Sequence, residues 1–248
     1  MFNQNSFLSN ITPVVKSLLL INAGVLVLAF LYSQVAATNS SHILGLFYFK
    51  SEAFRPFQIV SHMFMHAGLL HIFFNMYALW LFGQILERVW GGKRFLIYYL
   101  ITGFGAAAIH ILVLHFRVQE FMAQLSPEQI DIVINQGHQA LLSGKNFQNA
   151  AMAQLNLMIN IPTVGASGAV FGVLLAFGML FPNTELYLLF IPVPIKAKYL
   201  VIGYGALELM NGISNTPGDN IAHFAHLGGM IFGFILIKIW GKNRANFY

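Results

Sequence analysis

The sequence predicts an all-α membrane protein: a bundle of six transmembrane helices with a helical insertion on its outer face between the third and fourth. Three observations lead there. Of the 248 residues, 57% are hydrophobic and only 8% are charged, against roughly 25% charged in a soluble domain. The mean hydropathy is +0.68. Six mostly apolar stretches, near 15–35, 59–82, 95–116, 165–181, 199–213 and 221–240, are set apart by polar or turn-rich segments, and a spanning helix needs about 20 such residues.

The first stretch has two readings. It is a spanning helix, or Ser17–Tyr32 followed by Val35-Ala36-Ala37 is a leader with a small-residue cleavage site. Losing it would leave an odd number of helices and move the amino terminus outside. The second stretch carries His62, His66, His71 and Asn75, and the sixth carries His223 and His226; polar groups at membrane depth should face a protein interior. The fourth and fifth stretches are the shortest, and Pro182, Pro192, Pro194 and Pro217 punctuate their ends. No internal repeat or second domain is visible, so 1–248 reads as one domain.

Loop charge sets the orientation. With both termini cytoplasmic, the inner side carries Lys16, Arg88, Lys93, Arg94, Lys196, Lys198, Lys238, Lys242 and Arg244, and the outer side only Lys50, Arg55, Arg117 and Lys145. That is the positive-inside pattern. The outer connection 117–160 alone has soluble character. Ser126-Pro127-Glu128-Gln129 is an N-cap, first-turn proline and capping-box sequence. Ile130, Val133, Ile134 and Leu141 follow at helical spacing, and Phe147, Ala151, Leu155 and Ile159 make a second stripe. Two amphipathic helices on the outer surface are expected, either as a spacer packed on the bundle or as a lid.

Composition also excludes. The basic residues are dispersed between apolar runs and form no stripe that could track phosphates, so nucleic acid is not an expected partner. With no cysteine there is no disulfide, thiolate nucleophile or Cys-ligated zinc, and covalent chemistry would need another side chain.

Candidate chemistry lies in three places. Gly165-Ala166-Ser167-Gly168 opens the fourth stretch. A serine at a helix N-terminus sits among amides with no intrahelical partner, at the positive end of the dipole, where a developing oxyanion is stabilised. The alternative is helix packing through Gly165, Gly168 and Gly172. Ala225-His226-Leu227-Gly228-Gly229 lies on the sixth, where Gly229 and Gly233 form a GxxxG pair that permits close helix approach. There His226 is a general base for a serine hydroxyl or a buried, hydrogen-bonded histidine. His71 and Asn75, spaced i, i+4, share a helix face and could both donate to an oxyanion. His62 and His66 have the same spacing and could ligate a metal, but no carboxylate accompanies them; structural hydrogen bonding is the other reading.

In this order the motifs HxxxHxxxxHxxxN, GxSG and AHxxG across six spans resemble the rhomboid family of intramembrane serine proteases. The resemblance covers roughly 15–240. It implies a rhomboid-like bundle with Ser167 as nucleophile and His226 as base, a dyad without a carboxylate. It also implies an oxyanion hole of His71, Asn75 and the main-chain N–H groups of Ser167 and Ala166, supported by Gly165, Gly168, Gly229 and Phe171. His62 and His66 match positions that brace the outer loop, and Glu87-Arg88 fits a charged pair usual after the second helix. The implied partners are the lipid bilayer and membrane-protein substrates with a transmembrane helix, and no cofactor or metal is implied. The expected location is a bacterial inner (plasma) membrane, multi-pass, with both termini cytoplasmic. A catalytically silent relative that only binds membrane helices is the alternative, and its usual mark is a missing Ser or His. Two features depart from the family: Phe171 stands where many members have a Tyr that stacks on the histidine, and Phe57-Gln58 after Arg55 replaces a common Trp-Arg pair.

Overall fold

The computed structural model describes residues 10–36, 40–188, 191–214 and 222–242. Ala37, Pro217, Ile221 and Arg244, which entered the sequence reading, lie outside these. In chain order the described helices are α1 (Pro13–Ala36), α2 (Ser41–Leu44), α3 (Gln58–Ser61), α4 (Leu69–Trp90), α5 (Gly92–Met122), α6 (Pro127–Leu142), α7 (Ala150–Asn160), α8 (Ser167–Leu180), α9 (Ala197–Ser214) and α10 (His223–Lys242). Among them α1, α4, α5 and α10 are long and apolar enough to cross a membrane. The shorter α8 and the glutamate-bearing α9 occupy the places predicted for the fourth and fifth spans.

Two expectations change. The second stretch is not one helix from 59. A short 3-10 turn, His62–Phe64, follows α3, the chain runs extended through Met65 and Gly68, and α4 starts at Leu69. The Nδ1 atom of His62 pairs with the Gln58 carbonyl at 2.9 Å. His62 and His66 therefore do not share a helix face, whereas His71 and Asn75 do. The fold is also not purely α: an antiparallel hairpin, β1 (Glu185–Leu188) and β2 (Ile191–Lys196), joins α8 to α9. Pro192 and Pro194 exclude helix there, and a two-stranded ribbon has edges that tolerate missing N–H groups.

The centre is a three-helix contact among α5, α8 and α10, with α1 and α4 on one side and α9 against α10. Small residues make it possible. A Cβ built at Gly229 would overlap the carbonyl of Gly168, one at Gly168 would overlap Ala106, and one at Gly105 would overlap Phe232. The Tyr98 hydroxyl donates to the Gly172 carbonyl at 2.8 Å, tying α5 to α8 in the fully buried core. At the far end, the buried Glu87 accepts from the amides of Val14 and Val15, both at 2.9 Å. These are orphan donors of the first turn of α1, where a carboxylate is favoured.

The insertion forms the two expected helices. Ser126 and Gln129 complete the capping box, and Val133, Leu155 and Ile159 are fully buried in a small core with Tyr48, Val118 and Met152. A polar ladder runs from Ser51 to Asn160 (2.6 Å), Asn160 to Asn156 (2.8 Å) and Asn156 to Asn146 (3.0 Å). The insertion is packed on α5 and on the loop between α1 and α4, as the spacer reading expects.

The glycine contact generates a test. Gly229→Ala should force α8 and α10 apart and cost about 1–3 kcal/mol, the usual scale of overpacking. Gly203→Ala, where nothing lies within 4 Å, should leave the thermal unfolding midpoint unchanged or slightly raised. Equal midpoints for the two variants in detergent would refute the close contact.

Candidate active site

Ser167 is the first residue of α8 and His226 the fourth of α10, so both stand in first turns beside the Gly168–Gly229 crossing. The His226 Nε2 atom lies 2.8 Å from Ser167 Oγ. In the Nδ1–H tautomer of His226, Nε2 accepts from the Ser167 Oγ–H. His226 is buried and Ser167 half-buried. The Phe171 ring stacks on His226 with centroids 4.2 Å apart and planes 4° from parallel. Tyr204 of α9 meets the Phe171 ring edge-on at 6.2 Å.

Gly165 makes the space in front of the serine. Its φ of 128° is one that L side chains rarely adopt, and its N–H donates to the His62 carbonyl at 2.9 Å. A Cβ there would lie 2.9 Å from His71 Nε2 and 3.6 Å from Ser167 Oγ. His71 Nε2 and Ser167 Oγ therefore flank one small volume. The other ring nitrogen of His71 faces the Ala67 N–H at 3.4 Å; accepting from it leaves Nε2 as the protonated, donating nitrogen. Asn75 donates one amide hydrogen to the His71 carbonyl at 2.8 Å and retains a second. Ala166 is fully buried at the N-cap of α8.

His66 sits edge-on to His71, with ring centroids 5.0 Å apart. Burial, with the nearby His71 second, pushes His66 down to about 4, so it is neutral at pH 7 and packs as an aromatic brace. Gln58, fully buried, accepts from the Arg55 amide and donates to the carbonyls of Ala53 and Ile43. It ties together the loop in which the family's Trp-Arg pair is missing. Thr163, hydrogen-bonded to His110 at 2.8 Å and bridged to Leu46, holds the strand leading into Gly165.

Sequence reasoning missed one group. Glu208 of α9 places Oε2 at 2.6 Å from His223 Nδ1 and 3.0 Å from His226 Nδ1. The contact to His226 lacks the alignment of a formed hydrogen bond. The signal was in the sequence: a single carboxylate inside an apolar stretch is costly at membrane depth and marks function. Among the described residues, Glu208, His223 and His226 are also the one set of three or more metal-type side chains brought together; His62 and His66 belong to no such set.

Residues 53–243 match the family model of the Rhomboid domain. The chain is 31% identical over 236 residues to RHOMBOID-like protein 12, mitochondrial, of Arabidopsis thaliana, covering 94% of this chain and 60% of that one. It is 27% identical over 190 residues to Rhomboid protein 1, mitochondrial, of Saccharomyces cerevisiae, covering 75% and 43%. To Rhomboid protease GluP of Bacillus subtilis it is 25% identical over 191 residues, covering 76% and 27%. The chain thus spans between about a quarter and three-fifths of the length of these curated relatives.

If stacking orients His226, Phe171→Ala should slow labelling of Ser167 by a serine-directed phosphonate about 10-fold, because a base free to rotate spends less time in line. Phe171→Tyr should label at the wild-type rate. Full reactivity in Phe171→Ala at unchanged thermal stability would show that the stacked ring does not orient the histidine.

Proposed function

The chain belongs to the rhomboid family, and from that premise we propose that it is an intramembrane serine endopeptidase hydrolysing peptide bonds in or near transmembrane helices of other membrane proteins. The observation that carries this reading is the 2.8 Å approach of His226 Nε2 to Ser167 Oγ. Ser167 is the nucleophile and His226 its general base. As Oγ attacks the scissile carbonyl, its proton passes to Nε2 and from there to the leaving amine; water then releases the acyl group by the same path reversed.

The oxyanion falls in the volume beside Gly165. Donors there are the His71 Nε2–H, the second Asn75 amide hydrogen and the free main-chain N–H groups at the start of α8. Gly168 and Gly229 set the helix spacing that brings base to nucleophile. No cofactor is called for.

The reaction sits at or just inside the bilayer. At 1.5 Å per residue, the 14 residues of α8 reach only about 21 Å, against about 30 Å of hydrocarbon. The irregular chain before α8 lies at depth, where such backbone is tolerated when it lines a protein cavity. A substrate helix unwound by small or helix-breaking residues would present its strand to that cavity. Loop charge supports cytoplasmic termini and an outward-facing site.

Ser167→Ala and His226→Ala should each abolish cleavage of a single-span substrate in proteoliposomes while remaining folded, and the double variant should be no worse than either. Near-wild-type cleavage by Ser167→Ala would reject the assignment. A wild type that binds substrate helices without cutting them would be the silent relative.

On the oxyanion side, His71→Ala and Asn75→Ala should each lower kcat, by up to about 10²–10³-fold and less where donors compensate, with KM little changed. Loss confined to KM would make these residues recognition elements.

A further inference from the structure

The dyad reading leaves Glu208 without a role, and an acid in an apolar helix is costly unless it is paired. Its side chain is 13% exposed, those of His223 and His226 8% and 11%. The helix that carries it is pinned beside the site: Arg117 of α5 donates to the Gly212 carbonyl, one turn beyond Glu208, at 2.7 Å. Such pinning fixes where the carboxylate stands relative to α10.

Stacking on Phe171 sets the plane of the His226 ring but not its sense. A half-turn about the Cβ–Cγ bond keeps the same stacked plane while putting carbon where Nε2 was. The Ser167 contact at Nε2 favours one orientation, and a polar partner at Nδ1 on the other side of the ring holds that orientation while the serine proton is in transfer. Resting on the serine-protease reading above, we propose that Glu208 is a positioning residue, whose Oε2 receives the Nδ1–H of His226 and so holds the unprotonated Nε2 toward Ser167. His223 holds Glu208 in turn, through its own Nδ1–H.

The acceptor-only carboxylate selects the Nδ1–H tautomer, the one in which Nε2 can take the serine proton. When that proton arrives, the imidazolium forms beside an anion that stabilises it, as the carboxylate does in a three-membered triad. At rest one oxygen serves two imidazoles, so the His226 contact is off-line at 3.0 Å while the His223 contact is short. Catalytic hydrogen bonds in unliganded sites commonly tighten only on reaction.

The same three residues could be read as a metal site. Their spacing argues otherwise. Ligands about 2.0–2.1 Å from a tetrahedral zinc lie about 3.3 Å from one another, whereas His223 Nδ1 and Glu208 Oε2 are 2.6 Å apart, the separation of a shared proton.

The test compares wild type, Glu208→Gln, Glu208→Asp and His223→Gln as full chains in proteoliposomes, reading kcat and KM on a single-span substrate, phosphonate labelling of Ser167, and thermal unfolding. Glu208→Gln keeps the shape but removes the charge, and kcat and the labelling rate should both fall about 10- to 100-fold, less than the about 10⁴ seen when a fully aligned triad carboxylate is amidated. KM and the unfolding midpoint should hold. Glu208→Asp should recover part of the loss, and His223→Gln should fall between Asp and wild type. Wild-type kcat in Glu208→Gln would overturn the proposal, as would a kcat loss matched by a lower midpoint with no recovery in Glu208→Asp. A chelator that restores or abolishes wild-type activity would overturn it in favour of a metal. Should the wild type label at Ser167 yet cut no substrate, the endopeptidase reading fails, while the labelling rates still decide the role of Glu208.

Discussion

The contact on which the rest of this structure depends is backbone to backbone: Gly229 of α10 lies against the Gly168 carbonyl of α8 with no room for a Cβ between them. Only at that separation can an imidazole three residues before Gly229 reach a hydroxyl one residue before Gly168, at 2.8 Å. In hydrocarbon, helices are not driven together by exclusion from water, so close packing of small residues and interhelical hydrogen bonds must hold them. Gly105, Ala106, Gly172 and the Tyr98–Gly172 hydrogen bond extend this contact to α5. Core packing and candidate catalysis are thus the same interaction seen from two sides.

The two carboxylates inside the bundle, and Asn75 beside them, are matched to partners that offset their desolvation. Glu87 is spent on the first-turn amides of α1. Glu208 faces two histidines, and Asn75 returns a hydrogen bond to its own helix. The difference between Glu87 and Glu208 lies in what they hold. Amides have fixed geometry, so Glu87 secures a helix end; imidazoles have tautomers and two ring orientations, so Glu208 can select among states of the reacting group.

The side of the molecule that carries the insertion is built by connection rather than by depth. The loop between α1 and α4 is bound by Gln58, the insertion is docked on that loop through Ser51 and Asn160, and Thr163 joins both to α5. These contacts converge on the chain entering Gly165, which sets the space shared by His71 and Ser167. The insertion therefore contributes rigidity to the approach to the site without lining it.

Composition and pattern were enough for the helical membrane class, for α5 and α10 to within a few residues at their starts, and for the capping box at Ser126, while the pairing of Ser167 with His226 was implied by the resemblance of the whole motif set. Each depends on local chemistry: apolar length, a turn residue, or motifs whose residue types admit few uses. The break at Met65–Gly68 was not legible, because an apolar run with histidines has the same hydropathy whether helical or extended. Nor was the hairpin at 185–196, where the prolines that signalled helix ends also permitted strands. The role of Glu208 was decided only in three dimensions. Its cost at membrane depth can be read from the sequence, but its partners lie 15 and 18 residues further along the chain on another helix. Only the packing of α9 against α10 determines whether that carboxylate faces lipid, water or the Nδ1 atom of His226.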